Sequence, residues 1–278
     1  MSRPDSASLA QCLLLLDGLA RKAGHYVALM KPPAWVREVG SITVVNSGIP
    51  SDSFNCVISR ELAEPEGAPA IDEICSTFNA AGLPAAWWTC DGIRADFIPA
   101  ALARHHFVED ETDVGMLADL DPAPPPQPMP AGFEVRVVDS APGAREMGRL
   151  LSSLSDPPDP GTMAYYTAVS GLGVSAEGPM RLFLGYADGR PVSTASLYLD
   201  GEVGHIFDVS TPDALRGRGF GTAMMRAVLE NARRAGARRA GLHASQEGIG
   251  VYRRTGFVEA GIFRVYSNKR YIAETRRV

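Results

Sequence analysis

A glycine-rich stretch between an alternating segment and a helical segment constrains the fold of this chain more than any other feature. Residues 203–209 alternate in the way that predicts a strand, and residues 210–222 hold three closely spaced glycines. Beyond them, residues 223–232 carry apolar side chains at helical spacing. The sequence therefore predicts a strand, a tight turn and a helix in direct succession.

The composition of this turn predicts a phosphate-binding site. Gly217, Gly219 and Gly221 allow several backbone N–H groups to approach one ligand without an intervening Cβ. The first N–H groups of a helix have no partner inside it, and the helix dipole places partial positive charge there. Arg216 and Arg218 add guanidinium groups that form forked hydrogen bonds with phosphate oxygens.

The spacing within the turn narrows the class of ligand. The turn lacks the Lys-Ser/Thr ending of a P-loop, and its strictly alternating glycines differ from G-x-G-x-x-G. The pattern Arg216-x-x-Gly219-x-Gly221 resembles the Q/R-x-x-G-x-G/A signature of the GNAT N-acetyltransferase superfamily, which holds the pyrophosphate of acyl-CoA. For this short pattern alone, the alternative interpretation is a glycine-rich turn with solvated arginines.

A second motif follows the predicted helix. Residues 239–244 predict a strand, and Ser245 can cap a short helix over residues 246–254. Residues 251–257, an apolar residue and Tyr followed by x-x-x-Gly-Phe, resemble the second GNAT signature. Two motifs in this order and on these elements are far more specific than either alone, and the resemblance extends over residues 133–278.

The resemblance implies roles for particular residues. Tyr252 is the expected general acid for the departing CoA thiolate, although a Tyr in a helix is more often a packing residue. Backbone groups of the strand before the turn are expected to hold pantetheine, and one N–H to polarise the thioester carbonyl. Ser245 stands where the family often has a longer Asn. The cofactor-binding residues implied in this way are Phe207, Asp208, Val209, Ser210, Thr211, Arg216, Gly217, Arg218, Gly219, Phe220, Gly221, Thr222 and Ser245.

The general base is predicted from position. His205 lies eleven residues before the first residue of the phosphate motif, where the histone-acetyltransferase branch has a Glu, and neutral His accepts a proton near physiological pH. A structural His, with water molecules deprotonating the amine, is the alternative, and Asp208 is a further possibility. His243 is likewise more often a structural residue, and the pair at 105–106 has no acidic or Cys partners at ligand spacing, so we predict no metal site.

A proline-rich segment predicts the domain organisation. Six prolines between positions 122 and 130 exclude a helix interior or a central strand and predict a stiff linker over 122–131. This linker separates predicted domains at 1–121 and 132–278. The first lacks a phosphate turn, and its order of elements resembles a shortened, degenerate GNAT unit; an unrelated α+β domain is the alternative.

The expected fold class is therefore α+β, with a mixed, mostly antiparallel sheet, flanking helices and two GNAT-like domains in tandem. The helices predicted outside the motif region cover residues 8–30, 70–81, 97–105, 141–154 and 163–169, and the strands cover residues 41–46, 53–58, 83–90, 114–120, 134–138, 181–187 and 191–199.

Charge is distributed unevenly along the chain. Residues 1–130 have 8 Lys and Arg against 17 Asp and Glu, a formal charge of −9, and residues 131–278 have 19 against 15, a charge of +4. The positive half carries both motifs, which suits polyanionic CoA. Four arginines at 233–239 have no interleaved aromatic residues, which favours a solvated helix end over a nucleic-acid surface.

Two further features predict the cellular setting. The apolar run from Leu13 to Leu16 is too short to span a membrane and lacks a cleavage pattern, so we expect neither a signal peptide nor a membrane partner. The four cysteines show no C-x-x-C spacing and are predicted to be buried thiols in a reducing cytosol. We expect a cytoplasmic monomer or homodimer.

The predicted function is acyl-CoA-dependent N-acyl transfer, with acetyl-CoA as cosubstrate and the amine of a small molecule or peptide as acceptor. This chemistry needs a neutral amine, stabilisation of the tetrahedral oxyanion and a proton for the thiolate. Tyr165 and Tyr166 could line the acceptor pocket, but the sequence does not identify the acceptor. A non-enzymatic acyl-CoA-binding or interaction protein with the same fold is the alternative.

Overall fold

The computed structural model of this chain describes residues 6–63, 67–93, 96–122 and 129–276. Helices flank a mixed sheet in which most neighbouring strands are antiparallel, which confirms the predicted α+β fold class. The helices are α1 (Ser6–Val27), α2 (Gly67–Ala80), α3 (Ile98–Ala103), α4 (Ala141–Ser152), α5 (Pro160–Ser170), α6 (Phe220–Arg234), α7 (Ile249–Arg254) and α8 (Lys269–Thr275). The strands are β1 (Trp35–Val39), β2 (Ile42–Asn46), β3 (Cys56–Ser59), β4 (Ala86–Cys90), β5 (Val108–Asp119), β6 (Phe133–Val138), β7 (Met180–Ala187), β8 (Arg190–Asp200), β9 (Val203–Ser210), β10 (Arg239–Ala244) and β11 (Val258–Ser267).

The chain divides into two compact units. The first consists of Met1–Val114 together with Ala260–Val278, and the second is Gly115–Glu259. The first unit contains β1 to β4, α1 to α3, α8 and most of β11. The second contains β6 to β10 and α4 to α7, and β5 passes from the first unit into the second.

A buried aromatic core fills the first unit. Its strands neighbour one another in the order β1-β2-β3-β4-β11, and Trp87, Phe78 and Phe107 are fully buried among them and the helices. The Trp87 indole N–H donates to Ser59 Oγ at 2.9 Å, so the one polar atom of this ring is satisfied inside the core.

Residues 260–278 belong to the first unit, whereas the predicted second domain, 132–278, included them. Strand β11 pairs antiparallel with β4 from Phe263 to Ser267. Directly after it, the buried Asn268 accepts a hydrogen bond from the Ala85 N–H at 2.7 Å and donates to Leu83 O at 3.2 Å. This pairing joins positions about 180 residues apart in sequence, which local patterns do not reveal.

The second unit contains the sheet order β6-β7-β8-β9-β10. Two glycines allow helices to pack closely here. A Cβ at Gly204 of β9 would lie 3.0 Å from the Cβ of Ala232 on α6, and a Cβ at Gly148 of α4 would lie 2.6 Å from the Cβ of Tyr166 on α5. The Asp159 side chain accepts from the first N–H groups of α5 and fixes where that helix begins.

Most predicted elements are present, and the differences have physical causes. Strand β5 begins at Val108, whereas the sequence predicted a start at Val114. The prediction missed the first half of the strand because that half is acidic and resembles a loop in sequence. There Glu109 forms an ion pair with Arg264, and Asp110 forms one with Lys269. The short elements β1 and α8 were not predicted. The predicted linker over 122–131 stays a prediction, since its residues 123–128 lie outside the described residues.

Candidate functional site

Strand β9 bulges where it stops pairing with β10. Its parallel pairs with β10 end at Ile206. On the other side, Phe207 pairs with Ser196 of β8 and Ser210 pairs with Thr194. Three residues of β9 thus span the length of two residues of β8, which defines a β-bulge. Asp208, inside the bulge, has the unusual φ of +55°. The backbone of β9 beyond Ile206 thus lies outside the parallel ladder, where an extended ligand can bind it.

The glycine-rich turn over residues 216–222, called the phosphate turn here, has two glycines in the left-handed region. Gly217 and Gly219 have φ of +76° and +85°, a region in which Gly carries no steric penalty. Helix α6 begins directly after them, and its first internal bond runs from the Ala223 N–H to Gly219 O at 3.0 Å. The three preceding N–H groups, from Phe220 to Thr222, are therefore the ones that a helix offers to an anion at its N-terminus.

A cavity of about 590 Å³ lies beside this turn, within the second unit. Both sequence motifs contribute to its wall. Of the residues predicted to bind the cofactor or act in catalysis, those that line the cavity are Val209, Ser210, Thr211, Arg216, Gly217, Gly219, Phe220, Gly221, Thr222, Ser245 and Tyr252. The structure thus brings together the end of β9, the phosphate turn and α7.

The sequence did not predict the remaining lining residues. They are Leu154, Asp213, Leu215, Glu247, Gly248, Val251 and Arg254. The position of Gly248 could have been predicted to lie next to Tyr252, because the two residues are four apart on one helical turn. The spacing of three residues between Asp213 and Arg216 could likewise have predicted their ion pair. The sequence contains no such local spacing for Glu247, because Glu247 and Arg216 are distant in sequence.

Arg216 joins two sides of the cavity. Its Nη1 lies 2.8 Å from a Glu247 carboxylate oxygen and its Nη2 lies 2.9 Å from one of Asp213, while its Nε donates to Thr211 O at 3.3 Å. All three charged side chains are more than half exposed. Such exposed pairs contribute only about 0.2–1 kcal/mol each, so a phosphate ligand can compete for this guanidinium. Arg218 is exposed and lies outside the lining set.

Tyr252 is held in the wall of the cavity. Its side chain is buried, and its ring packs edge-on against Phe257 with ring centres 6.1 Å apart. The same ring covers Gly248, at which a Cβ would lie only 2.8 Å from Tyr252 Cε2. Ser245 lines the cavity from the turn before α7, where its carbonyl accepts the Gly248 N–H at 2.9 Å.

The two histidines of this region lie deeper. His205 on β9 is 1% exposed and stands outside the residues that line the cavity. His243 on β10 has both ring nitrogens shielded from solvent, and its ring stacks on Phe207. Burial, with a smaller contribution from His205, lowers the pKa of His243 to about 3. The role of His205 as general base stays a prediction, and its burial gives it no direct access to the cavity.

Phe207 and Asp208 also lie outside the lining set, although they directly precede Val209, its first residue on β9. The Asp208 carboxylate accepts hydrogen bonds from the hydroxyl groups of Tyr166, at 3.4 Å, and Ser196. These bonds tie α5 and β8 to the bulge of β9. The Asp208 side chain therefore fixes the shape of the strand at the point where the cavity begins.

The arginine cluster at 233–239 is paired with carboxylates. Arg233 and Arg234 bind Glu230, Arg238 binds Glu202, and Arg239 lies 3.8 Å from Asp119. These pairs fit the predicted solvated surface. The four cysteines, all within the described residues, are buried free thiols, as predicted.

The described residues contain no group of three or more His, Cys, Asp or Glu side chains arranged to hold a metal ion. Among the helices in the described part of the chain, none is both long and apolar enough to cross a membrane.

Comparison with known proteins identifies a family match within the second unit and two curated relatives. Residues 149–257 match the model of the acetyltransferase (GNAT) family, and this segment contains the phosphate turn and Tyr252. Two curated rice (Oryza sativa subsp. japonica) proteins are similar. Probable glucosamine 6-phosphate N-acetyltransferase 2 is 34% identical over 82 residues, which are 27% of this chain and 49% of that protein. Glucosamine 6-phosphate N-acetyltransferase 1 is 39% identical over 62 residues, 22% of this chain and 38% of that protein. The chain thus spans half or less of the length of these relatives.

Solved structures share the fold over nearly the whole chain. A GCN5-related N-acetyltransferase from Kribbella flavida superimposes with a TM-score of 0.65 at 17% identity, covering 89% of this chain and 94% of that one. A tandem GNAT protein from the clavulanic acid biosynthesis pathway gives 0.56 at 15% identity, covering 96% of both chains. The fold of this chain is therefore the GNAT fold, with a length that fits two GNAT-like units; the degeneracy of the first unit stays a prediction.

Proposed function

Residues 149–257 belong to the acetyltransferase (GNAT) family, and from this premise we propose that the chain is an N-acetyltransferase that transfers an acetyl group from acetyl-CoA to an amine. One observation carries the proposal. The phosphate turn, the end of β9 beyond its pairs with β10 and Tyr252 all line the same cavity of about 590 Å³. The Tyr252 phenol would supply the proton donor that acyl transfer needs and that phosphate binding alone does not.

The residues of the cavity suit the parts of the cosubstrate. The N–H groups at the start of α6 would bind the diphosphate, and a Cβ added at Gly221 would have only Thr211 Oγ1 within 4 Å, at 3.9 Å, so this cradle has free space. The backbone of Val209 to Thr211 would pair with the pantetheine arm. Exposed Leu154 and half-buried Val251 offer apolar contacts in the cavity wall.

The reaction then needs little side-chain chemistry. The neutral amine attacks the thioester carbonyl carbon, and a backbone N–H of β9 stabilises the oxyanion that forms. The C–S bond breaks as the amide forms, and the Tyr252 hydroxyl gives its proton to the leaving thiolate. The amine loses its proton to water, because His205 is too deeply buried to reach the cavity directly.

The identity of the acceptor amine is the next property to test. The two rice relatives are named for glucosamine 6-phosphate, which makes this amine sugar the first acceptor to test. We propose to mix the whole chain with acetyl-CoA and a panel of amines, including glucosamine 6-phosphate, polyamines, amino acids and peptides, and to measure thiol release. Calorimetry with acetyl-CoA alone provides the binding control.

Two outcomes separate the proposal from its alternative. Release of thiol that depends on both enzyme and amine supports acetyl transfer. Binding of acetyl-CoA with no amine-dependent release from any acceptor class supports the alternative, a non-enzymatic acyl-CoA-binding protein. The cytoplasmic location and the monomeric or homodimeric state remain proposals as well, to be measured by cell fractionation and light scattering.

A further inference from the structure

Tyr252 lies unusually close to the backbone of the residue one helical turn before it. The Tyr252 N–H donates to Gly248 O at 3.3 Å, which makes Gly248 the i−4 neighbour at the start of α7. Helical side chains lean toward the N-terminus of the helix and cover the preceding turn. The Tyr252 ring accordingly covers the position where a side chain of residue 248 would stand.

The contact leaves no room for any side chain. A Cβ on residue 248 would lie 2.8 Å from Cε2 and 3.5 Å from Cζ, the atom that carries the Tyr252 hydroxyl. The backbone of Gly248 is not in the left-handed region, with φ at −78°, so conformational freedom does not explain a glycine here. The property that distinguishes glycine from other residues at this position is therefore its missing Cβ.

The ring cannot move away freely, because it is buried. Tyr252 is 8% exposed, and its ring packs edge-on against Phe257. To reach an ordinary contact distance of 3.4 Å from a new Cβ, the ring or the backbone has to shift by about half an ångström. The hydroxyl, at the far end of the ring from Cα, shifts with it.

We propose that Gly248 is a positioning residue for acetyl transfer, whose lack of a side chain places the Tyr252 hydroxyl where the thiolate leaves. This inference rests on the proposed function. Catalytic groups must be held within about 0.5 Å of their productive position, and a misplacement of about 1 Å can cost 10²-fold in rate. A forced shift of about half an ångström therefore reduces proton donation without removing the donor.

The neighbouring glycine provides a matched control. Gly250 lies on the same short helix, outside the lining set, and its backbone also lacks a positive φ. A Cβ at Gly250 would meet only the flexible tip of Arg254, at 3.5 Å. Gly248→Ala and Gly250→Ala are thus the same chemical change, two residues apart, with and without the contact to Tyr252.

The test compares these two variants with wild type in acetyl-CoA turnover, using the amine that gives the fastest thiol release. We expect Gly248→Ala to lower kcat about tenfold with the KM for acetyl-CoA within about twofold of wild type. Gly250→Ala should match wild type in both constants. Equal behaviour of the two variants would overturn the proposal.

A double-mutant cycle asks whether the effect passes through the hydroxyl. In a Tyr252→Phe background the proton donor is already absent, so adding Gly248→Ala should cause no further loss in kcat. An undiminished tenfold loss in that background would show that residue 248 acts on the backbone or on cosubstrate binding, and would overturn the positioning role.

Crystal structures of the two alanine variants test the geometry without activity. The Tyr252 ring should move in Gly248→Ala and keep its position in Gly250→Ala; an unmoved ring in Gly248→Ala contradicts the proposal. If wild type binds acetyl-CoA in calorimetry but releases no thiol with any amine, the proposed function fails. A failure confined to the comparison of variants overturns only the role of Gly248.

Discussion

At the scale of single residues, the site depends on what small residues permit. Gly217 and Gly219 are needed for their backbone conformation, whereas Gly248 is needed for its empty side-chain position. The motif spacing predicted the first two and Tyr252, because these residues are fixed by one continuous pattern. It did not predict Glu247, whose ion pair with Arg216 joins residues 31 positions apart.

Tyr252→Phe tests the proton donor. The Phe ring preserves the contacts with Gly248 and Phe257, so the fold and the KM for acetyl-CoA should stay nearly unchanged. Because only the acid is lost, we expect kcat to fall by about 10²-fold, the low end for general-acid catalysis, since a thiolate can leave unaided at a cost. Steady-state kinetics provide the measurement. Normal turnover would make Tyr252 a packing residue, and a large rise in KM alone would make it a cosubstrate contact.

His243 should make the stability of the fold depend on pH. Its pKa is about 3 in the folded state against about 6.5 in an unfolded chain, so the folded state binds fewer protons between these values. The free energy of unfolding should therefore be highest above pH 6.5 and fall as the pH drops below it, by at most about 1.4 kcal/mol per pH unit.

Urea unfolding of wild type and His243→Phe at pH 7 and pH 5 checks this expectation. The Phe ring can still stack on Phe207 but does not titrate. The difference in stability between the two proteins should shift in favour of the variant at pH 5. A difference that is the same at both pH values would show that His243 does not contribute to the pH dependence.

At the scale of elements, the strand, turn and helix around the cavity form a unit that the sequence predicted well. Alternation, glycine spacing and helical periodicity are local signals, and β9, the turn and α6 follow one another directly. The bulge at Asp208 was not predicted. It depends on hydrogen bonds from Tyr166 and Ser196, which belong to other elements.

Gly221→Val tests the phosphate cradle at the start of α6. Unlike Gly219, Gly221 has no positive φ, and a Cβ there would meet only Thr211 Oγ1, at 3.9 Å, so the variant should fold. The new methyl groups would stand over the N–H groups that bind the diphosphate. A lost charge-assisted hydrogen bond costs roughly 1.5–3 kcal/mol, so we expect acetyl-CoA affinity to fall at least about tenfold.

Calorimetry on Gly221→Ala and Gly221→Val provides the measurement, with circular dichroism to check the fold. Affinity should decrease from Gly to Ala to Val as the cradle fills. Unchanged affinity in a folded Val variant would place the diphosphate elsewhere in the protein.

At the scale of the whole molecule, the order of elements along the chain differs from their grouping in space. The sequence predicted a boundary in the proline-rich segment, where helices and strands are excluded. It could not show that β11 and α8, at the end of the chain, complete the first unit. That grouping depends on the pairing of β11 with β4, and strand pairing between distant segments leaves no periodic trace in either one.

This grouping makes a prediction about fragments. A chain cut in the predicted linker, residues 1–121, lacks β11 and α8, which exposes the edge of β4 along its pairs from Ala86 to Cys90. It also loses Asn268, so the buried Ala85 N–H has no partner, at a cost of about 1–3 kcal/mol. We expect this fragment to show no cooperative thermal unfolding.

A second fragment, in which a flexible Gly/Ser linker joins residues 1–114 to residues 260–278, should unfold cooperatively, because it restores the strand and the buried hydrogen bonds. Circular dichroism during heating distinguishes the two, and a cooperative transition in residues 1–121 alone would show that the first unit does not need the end of the chain.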